Sequence, residues 1–329
     1  MLKVQRILIT KTPLAFLIRK SKGWKLPGFE GISLHDTVKF LLAQLKTQGF
    51  SERAAAISYN FIMAIPPSLL FIFTLVPNLP FISKRSIKIQ LHNIIRDIIP
   101  SPEYNRGVMS FVDSFLDDSR IGLLSFGLIL SLFFASNAMM GIIRSFNRKY
   151  VGFEKINGLE KRWRAIKLTI LIFSLLLTYL LLLIMQGALL KMIVVDKSWQ
   201  NFITYFRWGM IVILLFLIVG FIFKYAPAVS KRWKLISPGS ILTTILSILA
   251  SVGFAAFVGN FGRYNALYGS IGTIMMVMAL IFINSLALLV GFELNVSIRS
   301  LKAAALQKEM EQKHAMEAGK YQPDDTPFK

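Results

Sequence analysis

Residues 264 to 292 read YNALYGSIGTIMMVMALIFINSLALLVGF, twenty-nine positions without one charged side chain. A helix needs roughly 20 apolar residues to cross about 30 Å of hydrocarbon, so this run is long enough for a membrane span. On its N-terminal side it is preceded by NFGR, and on its C-terminal side it ends at Glu293 and, six residues on, Arg299. Cutting the rest of the chain at its charges leaves five further windows of the same kind. They are Ala54 to Ser83, Ile121 to Ile143, Leu168 to Leu190, a pair of runs from Ser198 to Phe223 interrupted only by Arg207, and Leu235 to Gly262. Arg207 lies near the end of its window, where its charged head can reach the headgroups while its stem stays apolar.

The expected fold is therefore an all-α polytopic membrane protein with six transmembrane helices. The spans fall at about 54–81, 121–143, 168–190, 204–224, 238–259 and 268–293, giving a membrane domain over 54–295 between an N-terminal segment, 1–53, and a charged tail, 296–329. A hydrophobic share of 54% and 27 Phe support that class over a soluble domain. The net charge of +21 raises the possibility of a nucleic-acid partner, and its distribution decides against one. Of 38 Lys and Arg, 28 fall in the alternate segments that begin with the N-terminus and end with the tail. That is the positive-inside asymmetry, and it predicts both termini in the cytoplasm. The stretch MLKVQRILITKTPLAFLIRK is broken by Lys11 and Arg19 and lacks a small-residue cleavage site, so the first span is expected to direct insertion.

Two amphipathic regions flank the first span. SLHDTVKFLLAQLKTQGF places Val38, Leu41, Leu42 and Leu45 at helical spacing, with Ser33 and Asp36 as capping residues, and reads as an interfacial helix. In the first external connection Ile87, Leu91, Ile94, Ile95 and Ile98 share a face, followed by Val108, Phe111, Val112 and Phe115. Trp163 and Trp233, each among cations, read as headgroup anchors.

Chemistry-bearing constellations are scarce. There is no cysteine, and His35, His92 and His314 fall in three separate segments, so no metal set and no cofactor is expected. No HExxH, P-loop or GxSxG occurs, so the chain is read as a non-enzyme. Its spans instead carry uncharged polarity. Tyr59 and Asn60 precede the pair Pro66 and Pro67, which removes two amide donors and is expected to kink or break the first span. Asn137 in the second span and Asn284 in the sixth are further candidates for lining a path, or for joining helices. NFGRYNALYGSIG, between the fifth and sixth spans, reads as the outer end of a hairpin that is free to dip into the membrane. Asn260, Arg263, Tyr264, Asn265 and Tyr268 are its candidate contacts, Arg263 serving either an anion or a headgroup. Glu293 reads either as a coupling carboxylate or as the partner of Arg299, Arg53 or another base.

The order of RAAAISYNFIMAIPPSLL, FFASNAMMGIIRSFNRKYVG, FKYAPAVSKRWKLISPGS, NFGRYNALYGSIG and GFELN resembles the YihY and BrkB family of bacterial inner-membrane proteins, over about residues 35 to 300. The resemblance implies a six-helix protein of the cytoplasmic membrane. Members of that family have been linked with serum resistance, with a ribonuclease BN label and with transport of lipid or lipopolysaccharide precursors. The expected function is thus a transporter or flippase-like protein for an anionic or amphipathic envelope component, with membrane lipids as partners; the alternative is a structural or envelope-assembly factor. Whether a protein partner or a second copy joins it is left open by the sequence.

Overall fold

A computed structural model describes residues 23, 26–47, 49–75, 121–147, 150, 152–193, 197–229, 232–260 and 262–317, with scattered positions between 85 and 113. Seven helices are defined within these residues: α1 Leu34–Thr47, α2 Phe50–Leu75, α3 Ile121–Phe146, α4 Gly158–Ile193, α5 Lys197–Tyr225, α6 Pro238–Asn260 and α7 Gly262–Glu317. Helices α2 to α7 coincide with the six uncharged windows. Among the described residues the only extended pairing is a single bridge between Phe153 and Val229. The outer-loop amphipathic runs fall mostly outside the described residues, as do 76–81 at the end of the first expected span, the first 22 residues and the tail from 318.

Local chemistry explains where the helices start. Ser33 caps α1: its Oγ accepts from the Asp36 amide at 3.1 Å and donates to the Asp36 carboxylate at 2.7 Å. Helix α6 opens on Pro238, whose missing amide costs nothing in the first turn. Ser237 precedes it as the cap, with Oγ 3.2 Å from the Ser240 amide.

Three features differ from what the sequence suggests. Of the kink or break expected at Pro66 and Pro67, the break does not occur, since both lie inside α2; Pro67 is buried, and packing of α2 along α3 holds the helix through two lost donors. The segment read as the outer end of a hairpin does join α6 to α7, but it is helical up to 260 and again from 262, more so than its glycines suggest, because they are spaced among Ala266, Leu267 and other residues that tolerate a helix. Finally, α7 does not stop at the expected edge of the membrane domain. It runs unbroken to Glu317, 56 residues or ~84 Å, and Val296, Ser297 and Ile298 are buried in the bundle.

The core is concentrated at one end. Ala54 and Ile57 of α2, Ala138 to Phe146 of α3, Ala165 and Leu168 of α4, Val219 to Phe223 of α5 and Leu288 to Val296 of α7 form one apolar cluster. Here α3 and α5 end while α2, α4 and α6 begin. Farther along the helices, Phe126 and Ile129 of α3, Leu249 and Val252 of α6, and Ile274, Met275, Val277 and Met278 of α7 are exposed, as are Tyr59 and Met63 on one face of α2. Helix α1 divides its apolar face: Leu41 and Leu45 pack with Leu294 and Ile298 of α7, whereas Val38 and Leu42 remain exposed.

Candidate functional site

The packed end is organised by a buried charge pair. Arg53, in the first turn of α2, places Nη1 2.5 Å from Oε1 of Glu293 on α7, and only 3% and 1% of these side chains are exposed. Nη2 of the same arginine donates to the Ser145 carbonyl of α3 at 2.7 Å, so one guanidinium joins three helices. Its planar fork suits this double duty better than a lysine ammonium would. Tyr150, from the connection after α3, adds a hydroxyl that donates to Oε1 of Glu293 at 2.7 Å. Burial first, and then the charge of Glu293, push that phenol above its ordinary value of 10.0. Glu293 Oε2 and Arg53 Nε stay buried without a protein partner. Charges taken out of water are stable only when closely paired, so this site behaves as a latch: opening the packed end would have to break it.

Aromatic rings enclose the latch. Phe146 and Phe292 stack at 3.8 Å between centroids, and Phe223, Tyr150, Phe153 and Trp233 pack around Phe292. Trp233 is therefore half-buried against this cluster, while Trp163 is largely exposed. Two connections are sewn together beside the rings. Asn147 donates to the carbonyls of Ile143 at 2.8 Å and Ala226 at 3.1 Å, and its Oδ1 accepts from the Ala228 amide. Glu154 then donates its amide to the Ala228 carbonyl at 2.8 Å.

Helices α6 and α7 approach almost backbone to backbone. A Cβ placed on Gly291 would overlap Thr243 Oγ1 and the Gly239 carbonyl, and one on Gly239 would overlap the Gly291 carbonyl. Gly239 and Thr243 are four residues apart, as are Ala287 and Gly291, the small-residue spacing that lets membrane helices touch closely. Asn295 completes the contact, accepting from the Gly239 amide at 2.8 Å and donating to Ser237 Oγ at 3.0 Å.

Of the residues read as a path, Tyr59, Asn60, Asn137 and Asn284 have described side chains, and the three amides bond to helix partners. Asn60 donates to its own helix at the Ala56 carbonyl, 2.7 Å away, and lies over the bare Cα of Gly141 on α3. Asn137 accepts from Arg162 of α4 at 2.5 Å, and that guanidinium also sits 5.1 Å over the Phe133 ring. Asn284 bonds back to the Leu280 carbonyl at 3.0 Å, and Tyr59 is exposed. The side chains of Asn260, Arg263, Tyr264, Asn265 and Tyr268 lie outside what the structure describes. Glu293 takes Arg53, one of the three kinds of partner its sequence position allows. Sequence reasoning misses Tyr150, Asn147 and Asn295, whose one signal is polarity beside a span end, which many surface residues share.

The family model described as virulence factor BrkB matches residues 41–315. The chain belongs to the BrkB family. Among curated relatives, the putative ribonuclease-like protein YfkH of Bacillus subtilis (strain 168) is 28% identical over 273 residues, 80% of this chain and 96% of the relative. A UPF0761 membrane protein of Tolumonas auensis is 23% identical, covering 74% of this chain and 79% of its own. One of Coxiella burnetii (strain Dugway 5J108-111) is 22% identical, covering 78% and 90%. No solved structure matches significantly. Among the described residues, four helical segments of this BrkB-family chain are long and apolar enough to cross a membrane: Ser125–Phe146, Trp208–Tyr225, Pro238–Phe257 and one within Ile274–His314. It is a membrane protein of that family.

Proposed function

We propose that this BrkB-family protein is a transporter or flippase-like carrier of an anionic or amphipathic envelope component. It spans the bacterial cytoplasmic membrane six times with both termini inside, and its packed end faces the cytoplasm. The observation that supports this reading is the burial gradient along α6 and α7. Ser240, Thr244 and Ser247 are buried against neighbours, but Ser251 and Ala255, continuing that stripe, are exposed; on α7, 287–289 and 291–298 are buried while 274, 275 and 277–279 are exposed. On this reading the exposed stretches of α6 and α7 line a lateral groove that hydrates a headgroup while acyl chains stay in lipid. Partner lipids, not nucleic acid, account for the basic charge, since that charge follows the positive-inside pattern. The reading is non-enzymatic.

A second reading, a non-transporting assembly factor, draws support from Asn60 and Asn137, each committed to helix contacts. Reconstitution into liposomes with panels of fluorescent lipids and solutes separates the two. Transport requires protein-dependent movement of an anionic or amphipathic probe. Inserted, folded protein that moves none of them would leave the assembly role.

A further inference from the structure

A cleft of about 630 Å³ lies at the start of α6, where α7 leaves the bundle. Arg232 and Lys234 reach it from the connection after α5, and Arg299 and Lys302 from successive turns of α7. Against these four cations stands one carboxylate, Glu30, which pairs with Lys302 at 2.7 Å. Glu30 is held there by an unusual turn. Gly28, Glu30 and Gly31 all have positive φ (89°, 51° and 88°), and Glu30 is the only non-glycine among the described residues to do so. The turn buries Phe29 among Leu41, Leu294 and Ile298, which fixes it to the wall of the cleft. The floor is already satisfied, since Asn295 spends both ends of its amide on Gly239 and Ser237.

We infer that this cleft is a binding site for the phosphate headgroup of an anionic phospholipid, with Glu30 as a built-in competitor for its cations. The choice of lipid over soluble phosphate rests on the apolar rim. Ile236 is 70% exposed and Leu306 is also open beside the cations, and Pro238, where a membrane-spanning segment begins, lines the same space. A headgroup at the level where the span starts places its acyl chains along apolar side chains. The inference rests on the anionic-lipid partner of the proposed function but not on transport.

The test uses full-length protein in detergent micelles, titrated with phosphatidylglycerol, phosphatidylcholine and inorganic phosphate, with binding read by native mass spectrometry. Phosphatidylglycerol is expected to bind several-fold more tightly than phosphatidylcholine. Each of Arg232→Gln and Lys234→Gln should weaken it by about fivefold, the worth of one cation near an anionic lipid, and Glu30→Gln should tighten it by a similar factor. Equal retention of both lipids, or indifference to all three charge changes in variants that melt like wild type, would overturn the site. Inorganic phosphate binding as well as the lipid would overturn the lipid assignment. Because no translocation is measured, failure here is separable from failure of the carrier reading.

Discussion

Arg53 and Glu293 lie 240 residues apart in sequence and form a buried ion pair that joins the first turn of α2 to the long helix α7. Breaking such a pair from one side strands a charge in an apolar core, at a cost of about 3–5 kcal/mol. Glu293→Gln and Arg53→Met are each expected to lower the unfolding midpoint of detergent-solubilised protein strongly. The double variant Arg53→Met with Glu293→Leu should lose markedly less than the sum, since neither charge is left behind. Additive losses would mean that the two residues act separately.

Tyr150 gives the same site a pH signature. Its folded-state phenol is raised above the ordinary value of 10.0, so the protonated ring is favoured by folding. The contribution is fully present below pH 10.0 and is lost as pH rises toward the folded value, because only the unfolded chain releases the proton there. Thermal unfolding followed from about pH 8 to 11 should show stability of the wild type falling above about pH 10 more steeply than that of Tyr150→Phe. Parallel curves would remove Tyr150 from the latch.

The α6–α7 crossing is expected to tolerate no added methyl. A Cβ on Gly291 would run into both Thr243 and the Gly239 carbonyl, so backbone must move to admit it. Gly291→Ala should cost on the order of 1–3 kcal/mol or more, seen as a lower melting temperature. Thr243→Ala in the same chain would return only part of the loss, since the Gly239 carbonyl remains in the way.

Asn60 is assigned to packing. A methyl on Gly141 would approach its Nδ2 to 2.9 Å, so Gly141→Ala should destabilise and Asn60→Ala should relieve that loss. A coupling of roughly 0.5–3 kcal/mol in a double-mutant cycle is expected for residues in contact. Zero coupling, together with a large effect of Asn60→Ala on translocation, would favour the path role instead.

The long helices are legible in the sequence because one signal, the absence of charge over about twenty or more residues, is local and dominates everything else in lipid. The cap at Ser33 is legible for a similar reason: Ser33 and Asp36 carry their chemistry within one turn. What escapes is non-local. Nothing near Glu293 in sequence distinguishes Arg53 from Arg299, and only the packing of α2 on α7 makes that choice. Pro66 and Pro67 suggest a break that α2 does not show, because propensity is a local penalty while neighbouring helices hold the helix together. The glycines of 260–272 mislead in the same way: each permits a turn, but none requires one.

The bundle is sealed around Arg53 and Glu293, and on the carrier reading it opens to water at the other end of α6. The chain has no cysteine, so single replacements report cleanly. In liposomes, Ser251→Cys should react readily with a membrane-impermeant thiol reagent, whereas Ser58→Cys, buried beside Ser285 in the sealed end, should react from neither side. A Ser251→Cys protein as inert as Ser58→Cys would mean that no hydrated groove exists there, and would contradict the carrier reading.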